Sequence, residues 1–311
     1  MIESTSVKAP RILVIRGGAI GDFILTLPVL ATLRDHFPRV DIEVLGYPRV
    51  ASLALTGGLA KAVHAIESPG LASFFARDGL FDLEWREFFG QFAIVISYLF
   101  DPDGIFETNV KSCGPRQFIA AQHRPDEAKS IHASDVFLKP LEQLTIFDGD
   151  PVARLKLSGQ AKRENWLALH PGSGSESKNW PEQNWRELAS TLITHSSLNL
   201  LLIGGEAEGD QLQRLAQPLP GERIKIAQHL PLPKLAQRLA KCAGYVGHDT
   251  GMTHLSAALG LPTLVLWGPS NETIWRPLGE KVRVLNQHSE LAELTLETVV
   301  AGINALELEQ F

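Results

Sequence analysis

The sequence predicts an α/β protein with two doubly wound domains, each built on a parallel sheet. Short apolar runs of strand length alternate with stretches whose apolar residues recur at helical spacing. This alternation breaks at Asp148-Gly149-Asp150-Pro151 and starts again near Trp166. With 311 residues, 44% of them hydrophobic, the chain is long enough for two separate cores.

The first half opens on a strand, turn, helix, strand unit. Arg11–Arg16 is the first strand and Gly17–Gly21 the turn. Pro28 lies inside the helical stretch that follows, so it predicts a kink or a delayed helix start. The other predicted elements are strands at Asp41–Leu45, Ala62–Ile66 and Phe92–Ser97, a loop at 100–127 and a helix at Ala128–Leu144.

The second half repeats the pattern after a linker at about 150–164, which predicts one domain at 1–155 and another at 156–311, with a last helix that can pack back on the first domain. In doubly wound sheets, ligands bind beyond the carboxyl ends of the strands at a switch point. Two such domains facing each other form a cleft. The predicted strands are Trp166–His170, Leu198–Ile203, Ile224–Ala227, Ala243–Gly247 and Thr263–Leu266, and the helices are Pro181–Thr194, Glu208–Gln217, Leu232–Lys241 and Gly251–Leu259.

Composition excludes several classes of protein. The net charge of −6 argues against general nucleic-acid binding. No apolar run approaches the ~20 residues of a membrane span, and Met1–Pro10 has no signal-peptide core, so we expect a cytoplasmic protein. Cys113 and Cys242 lie far apart without metal-binding spacing, which predicts two free thiols and no zinc site.

The first segment with chemical potential is the glycine-rich turn before Asp22. Glycines after a strand let the backbone approach a ligand closely. Asp22 stands where a helix begins, so it is either a helix cap or a general base that points into the cleft, and both roles are compatible.

The second segment, His170–Pro181, combines small hydroxyl residues and glycines with a single Lys178. Backbone N–H groups, hydroxyls and a lysine can bind phosphate oxygens, whereas a flexible solvated loop is the alternative. The spacing does not match a Walker P-loop.

The third segment, Gly247–His254, joins a strand to a helix. Free N–H groups at Thr250, Gly251 and Met252 predict an anion site strengthened by the helix dipole. Asp249 cannot bind phosphate directly, so it accepts bonds from sugar hydroxyls or orients the loop. His254 shares a helix face with Thr250, and a capping Asp beside a buried His is the alternative.

Two further features carry weaker signals. Asp101-Pro102-Asp103 has the DxD form of some metal sites, although short Asp-rich turns are common. Trp267-Gly268-Pro269 follows a strand, where it forms a domain-edge turn or borders the donor.

Together, Ile12–Pro28, His170–Glu182 and Gly247–Pro269 resemble glycosyltransferase family 9, the ADP-heptose-dependent heptosyltransferases of lipopolysaccharide synthesis. The pattern Asp-Thr-Gly-x-x-His followed by Ala-x-Gly-x-Pro is the most specific part. The resemblance implies a GT-B fold, in which residues 1–155 form the acceptor-binding domain and residues 156–311 the donor-binding domain. It implies an inverting, metal-independent transfer without a cofactor. It also implies a nucleotide-sugar donor, with ADP-heptose expected, and a saccharide or glycolipid acceptor.

The resemblance also implies roles for individual residues. Asp22 matches the catalytic carboxylate and Lys178 the diphosphate-binding lysine. Glu208 matches a carboxylate that holds the ribose. The other matched donor positions are Ser173, Gly174, Asp249, Thr250, Gly251 and His254, to which the helix-terminus argument adds Met252.

The acceptor side departs from the family pattern. Gly17-Gly18 stand where family members commonly carry Ser or Thr with another small residue, and Gly174 removes a further hydroxyl. Backbone N–H groups can replace the side-chain contacts that are lost at these positions. Residues 1–150 carry a net charge of −5, which argues against a strongly anionic acceptor. The predicted acceptor residues are Gly18, Arg49, Arg116 and Arg124, with Lys111 in the same small basic patch.

The predicted reaction is a single displacement in which Asp22 deprotonates the acceptor hydroxyl and the nucleotide diphosphate leaves from the opposite face. We expect a monomer with at most peripheral contact with the inner membrane. The alternatives are a GT-B enzyme for another nucleotide sugar and a nucleotide-sugar-binding protein without turnover.

Overall fold

The computed structural model describes residues 9–159, 162–175, 178–206, 208–286, 290–306 and 308. The signal-peptide prediction for Met1–Pro10 therefore falls mostly outside the described residues. The chain divides into two compact units. The first contains the chain up to Ala19, Thr26–Pro125 and Ala133–Pro151, and the second contains Ile20–Leu25, Asp126–His132 and the chain from Val152 onward.

The strands are β1 (Arg11–Arg16), β2 (Asp41–Gly46), β3 (Ala62–Ala65), β4 (Ile94–Ser97), β5 (Gln117–Ala120), β6 (Glu164–His170), β7 (Asn199–Gly204), β8 (Ile224–Gln228), β9 (Cys242–His248), β10 (Thr263–Trp267) and β11 (Val282–Asn286). The helices are α1 (Ile20–Ile24), α2 (Leu27–His36), α3 (Pro48–Thr56), α4 (Leu83–Gly90), α5 (Ile105–Ser112), α6 (Ala133–Leu138), α7 (Glu182–His195), α8 (Gln211–Ala216), α9 (Leu232–Leu239), α10 (Gly251–Ala258), α11 (Glu272–Trp275) and α12 (Leu296–Asn304).

The first unit holds a five-stranded parallel sheet in the order β3-β2-β1-β4-β5. Strand β1 is buried because it is central, and its apolar run packs into an aromatic core that includes Phe74, Phe89 and Phe106. The strand order reverses between β1 and β4, so the switch point of this unit lies beyond Arg16 and Ser97.

The second unit holds a six-stranded parallel sheet in the order β11-β10-β9-β6-β7-β8. Strands β6 and β9 are central, and His170 pairs in register with Gly247, so both strands end at the same edge. The switch point lies between these two strand ends. Val299 and Ile303 of α12 belong to the core of this unit, together with Trp180.

Most predicted elements are present in the structure, with ends shifted by a few residues. Pro28 does delay a helix, because it occupies the first turn of α2 and separates α2 from the short α1. The predicted fold class, α/β with two doubly wound sheets, is confirmed.

The prediction of a long loop at 100–127 is wrong, because α5 and β5 lie within it. Both are short, and α5 starts after Gly104 in the left-handed region (φ 64°), so neither shows a periodic pattern of useful length. The predicted helix at Ala128–Leu144 is also interrupted: Ser130 adopts φ 48°, and a 3₁₀ turn at Lys139–Leu144 follows α6. Beyond Trp267 the structure adds α11, β11 and α12.

Candidate active site

The candidate site lies at the switch point of the second unit, beyond the carboxyl ends of β6 and β9. The loop after β6 contains Ser173 and Lys178, and the loop after β9 contains Asp249. Parallel strands bring these loops to one edge of the sheet, which is why residues far apart in sequence meet here.

Lys178 and Asp249 join the two loops. The Lys178 Nζ atom donates to Asp249 Oδ2 at 3.0 Å, and the Ser270 hydroxyl donates to the same oxygen at 2.5 Å. The Lys178 side chain is 33% exposed, against 12% for Asp249, so the ammonium keeps an exposed side while its position is fixed. The contact supports an orienting role for Asp249 and leaves donors on Lys178 for an anion.

Ser270 is a site residue that the sequence analysis missed. The buried Trp267 indole N–H donates to the Ser270 carbonyl at 2.7 Å and so fixes the turn that carries this hydroxyl. The turn at Trp267-Gly268-Pro269 therefore supports the Lys178–Asp249 pair. Its position after β10 was the available signal, since the same strand-end rule identified the other loops.

Helix α10 begins at this edge with its N-terminus at the site. Thr250 is the N-cap residue in extended geometry, and its side chain makes no capping bond. First-turn N–H groups, those of Gly251 and Met252 among them, therefore remain for another acceptor, and the helix dipole favours an anion there.

Two buried histidines underlie these loops. His248 Nε2 accepts from the Trp180 backbone N–H at 2.8 Å, so its Nδ1–H points to the Gly172 carbonyl, 3.4 Å away. Burial lowers the pKa of His248 to about 3 and that of His170 to about 4, so both rings are neutral at pH 7. Both rings act as fixed hydrogen-bonding groups that connect the β6 and β9 regions.

Glu208 lies under the loop after β6. It is 8% exposed, and its Oε2 accepts from the Gly205 N–H at 2.5 Å. Its Oε1 is 3.6 Å from Nε2 of His170, which is not an ion pair at pH 7 because that ring is neutral. A Cβ on Gly172 would lie 2.1 Å from Glu208 Oε1, so glycine is required where this carboxylate packs.

Ser173 and Gly174 differ in what they offer a ligand. The Ser173 hydroxyl donates to the Ser175 carbonyl at 2.6 Å and accepts from the Ser175 N–H, which shapes the loop. A Cβ on Gly174 would meet nothing within 4 Å, so that position faces open space. Residues 176–177 of this predicted phosphate loop lie outside the described residues.

Helix α1 packs directly on α10 within the second unit. A Cβ on Gly251 would lie 2.6 Å from the Ile20 Cβ and 3.1 Å from the Gly21 nitrogen, so glycine allows the close approach. Asp22 is the third residue of α1 and half-buried, which excludes the N-cap alternative. The predicted base is thereby held beside the predicted anion site.

The imidazole of His254 lies next to α1, since a Cβ on Gly21 would be 3.4 Å from its Cδ2 atom. Burial lowers the pKa of His254 to about 4, while the charges of Asp249 and Asp22 act in the opposite direction. The ring is therefore neutral at pH 7, although the negative charges of the two carboxylates raise its pKa.

His132 is a second residue that the sequence analysis missed. Its Nε2–H donates to the Arg276 carbonyl at 2.8 Å, and it is one of the groups that lower the pKa of His254. It reaches the second unit in the segment Asp126–His132. No local pattern distinguishes it, because only tertiary structure brings it to this place.

The predicted acceptor residues belong to the first unit, and the structure does not bring them all together. Gly18 (φ 97°) follows β1, Arg49 is the second residue of α3 after β2, and Arg124 follows β5, all toward the carboxyl edge of the sheet. Arg116 directly precedes β5 and so lies at the opposite edge. Lys111, in the last turn of α5, pairs with Glu107 at 2.5 Å. The predicted basic patch is split.

The DxD sequence has a structural use. The Asp101 carboxylate accepts from the backbone N–H groups of Phe106 (3.2 Å) and Glu107 (2.9 Å), which satisfies the start of α5. Asp103 is exposed. Across the described ranges, no group of three or more His, Cys, Asp or Glu side chains is arranged to hold a metal ion.

In the part of the chain that the structure describes, no helix combines the length and the apolar character that a membrane crossing requires. Cys113 and Cys242 are both free thiols, and burial raises the pKa of each.

The two parallel α/β sheets match the predicted fold class, and sequence comparison gives the family. The sequence model of glycosyltransferase family 9 (heptosyltransferase) matches residues 135–301. The chain belongs to this family.

Individual relatives agree with this assignment. Lipopolysaccharide heptosyltransferase 1 of Pseudomonas aeruginosa is 39% identical over 106 residues, which cover 34% of this chain and 29% of that protein. A putative glycosyltransferase of Haemophilus influenzae is 22% identical over 87% of this chain and 86% of its own length. Lipopolysaccharide heptosyltransferase 2 of Escherichia coli is 24% identical over 54% of both chains. The matches therefore span from under a third to most of a relative's length.

Solved structures share the fold. E. coli heptosyltransferase WaaC with ADP superposes with a TM-score of 0.75 at 20% identity, over 94% of this chain and 99% of that one. E. coli ADP-heptose lipopolysaccharide heptosyltransferase II gives a TM-score of 0.76 at 17% identity, over 95% and 98%. The dodecameric iron-containing heptosyltransferase TibC of E. coli gives 0.60 at 12% identity, over 96% and 76%.

Proposed function

We propose that this chain is an inverting glycosyltransferase that moves a heptose from ADP-heptose to a saccharide acceptor in surface-glycan synthesis, lipopolysaccharide included. Membership in family 9 and the E. coli relative that binds ADP support the class of donor. The observation that carries the proposal is the close packing of α1, the helix that contains Asp22, on the first turn of α10.

We propose that residues 156–311 bind the donor and that residues 1–155 bind the acceptor. The donor diphosphate lies against the first-turn N–H groups of α10 and the ammonium of Lys178. Asp249 and Ser270 support this arrangement by fixing Lys178. Ser173, Gly174 and the carboxylate of Glu208 complete the donor site, with Glu208 as the ribose ligand.

In the proposed displacement, Asp22 takes the proton of the acceptor hydroxyl as its oxygen attacks the anomeric carbon. The bond from that carbon to the diphosphate oxygen breaks on the opposite face, so configuration inverts. Lys178 and the helix N-terminus stabilise the charge that develops on the leaving oxygen. No metal or cofactor takes part. General-base catalysis of this kind contributes about 10²–10⁴-fold to the rate.

The neutral state of His254 supports the assignment of Asp22. A neutral ring does not form an ion pair with the carboxylate of Asp22. We place the reaction in the cytoplasm or at the cytoplasmic face of the inner membrane, because a nucleotide sugar is a cytoplasmic metabolite, and we expect a monomer.

A donor screen tests the proposal. Calorimetry of the protein with ADP-heptose, GDP-mannose and UDP-glucose should give the tightest binding for ADP-heptose. Preference for a GDP- or UDP-sugar would instead favour a GT-B enzyme for another donor. Tight binding without product in any acceptor extract would favour a binding protein.

A further inference from the structure

A pocket of about 210 Å³ opens in the first unit at the carboxyl ends of β4 and β5. Ser97, the last residue of β4, contributes a hydroxyl to its wall, and Phe118 of β5 contributes an aromatic ring. The pocket adjoins the switch point between β1 and β4, where doubly wound sheets bind ligands. None of the predicted acceptor residues lines it.

An exposed aromatic ring forms one side of this pocket. Phe100 is 68% exposed, and it lies in the wall of the pocket. Its ring meets the His123 ring edge-on at 4.8 Å between centroids. The imidazole therefore supports the phenyl ring from one side and leaves a face for a ligand.

A buried cation holds the wall in place. Arg16, at the end of β1, is 3% exposed and donates from Nη1 to the His123 carbonyl at 2.8 Å. Its guanidinium lies over the Phe137 ring at 4.4 Å and the Tyr98 ring at 5.6 Å. The segment that bears His123 is thus anchored to the sheet, so the pocket is pre-formed.

The polar side chains that line the pocket are a hydroxyl, an imidazole and two carboxylates, and Lys111, outside the lining, pairs with the Glu107 carboxylate at 2.5 Å. The lining includes the carboxylates of Asp101 and Glu107, and none of its ten residues, which all lie in the described range 97–123, is Lys or Arg. Phosphate or carboxylate groups would meet like charge there, at a cost. Hydroxyl groups would find acceptors in the two carboxylates and Ser97.

We propose that this pocket is a subsite for an uncharged pyranose ring of the acceptor, with the C–H face of the sugar on Phe100 and its hydroxyls toward Asp101 and Ser97. An aromatic face beside hydrogen-bond acceptors matches the two-sided surface of a sugar ring. The identity of the bound sugar as the acceptor rests on the proposed function, whereas the binding of a neutral sugar in this pocket does not. The subsite therefore binds uncharged acceptor sugars in preference to anionic ones.

Saturation-transfer NMR with the full chain tests this without turnover. The probes are the methyl glycosides of glucose, galactose and mannose, with methyl glucuronide as the anionic counterpart. At least one neutral glycoside should receive saturation at its ring protons, and the glucuronide should receive less. Phe100→Ala should weaken that binding about tenfold or more.

Two variants control for loss of structure and of surface area. Phe147→Ala removes an equally exposed phenylalanine (75%) of the same unit and should leave binding unchanged. Phe100→Trp keeps an aromatic face and should retain it. No saturation of any neutral glycoside overturns the subsite, as does saturation that Phe100→Ala leaves unchanged or that ADP abolishes. Equal binding of the glucuronide overturns the charge selection. Failure of ADP-heptose turnover alone contradicts only the proposed function.

Discussion

The close contact between Gly251 and α1 predicts that a larger residue at position 251 displaces α1. A Cβ at position 251 would lie 2.6 Å from the Ile20 Cβ, whereas carbon atoms in contact prefer about 3.5–4.0 Å. Gly251→Ala therefore forces α1 about 1 Å away from α10. Because Asp22 lies on that helix, the proposed base moves with it.

The expected result is a loss of turnover that exceeds the loss of donor binding. Misplacement of a catalytic group by about 1 Å costs on the order of 10²-fold in kcat. Overpacking should cost about 1–3 kcal/mol of folding free energy, which thermal unfolding monitors separately. Donor affinity, measured by calorimetry, should change much less, because the N–H group of residue 251 remains.

Two variants make this result specific. Gly221→Ala adds the same methyl group where nothing lies within 4 Å, so its kcat should equal that of the wild type. Ile20→Gly removes the atoms that the new methyl group meets and should restore part of the turnover of Gly251→Ala. Wild-type kcat in Gly251→Ala, with the protein folded, would refute the claim that this contact positions Asp22.

Three further predictions follow from the site. Lys178→Ala should weaken ADP-heptose binding about 10- to 100-fold by calorimetry, since a charged hydrogen bond is lost, whereas the exposed Lys234→Ala should not; equal affinities would contradict the diphosphate role. Ser270→Ala should weaken donor binding about two- to tenfold, with Ser112→Ala as control, and an unchanged Kd would remove Ser270 from the site. The buried histidines, with pKa values lowered from 6.5 to about 4 or below, stabilise the fold above pH 6.5. As pH falls from 6.5 toward 4, the unfolded state binds more protons than the folded state, so the free energy of unfolding measured in urea should fall by up to about 1.4 kcal/mol per pH unit for each ring. A free energy of unfolding that does not change over this pH range would contradict the burial of neutral rings.

The sequence predicted the fold class and the location of the donor loops because both follow from short-range pattern. Apolar runs mark buried strands, and small residues after them mark loops at one edge of a parallel sheet. Asp22, Lys178 and Asp249 were predicted in this way, and the structure places their segments in one unit. Their roles stay a prediction.

The rest depends on contacts between distant residues. Ser270 and His132 matter because of the partners that they meet, Asp249 and the Arg276 carbonyl, and neither is marked by its own neighbours in sequence. Strand β5 is too short for its period to be seen. Arg116 precedes β5 whereas Arg124 follows it, and grouping basic residues by sequence does not distinguish a strand start from a strand end, which lie at opposite sheet edges. The acceptor role of these residues stays a prediction.

The most direct test of the central claim is a comparison of Asp22→Asn with the wild type on ADP-heptose and a saccharide acceptor. The account predicts that the wild type forms a glycoside of inverted anomeric configuration by NMR. Asp22→Asn should bind ADP-heptose with unchanged affinity and lose about 10²–10⁴-fold in transfer rate, while Asp103→Asn, which alters an exposed aspartate, keeps full activity. A product of retained configuration, or near-normal turnover by Asp22→Asn, would contradict the account.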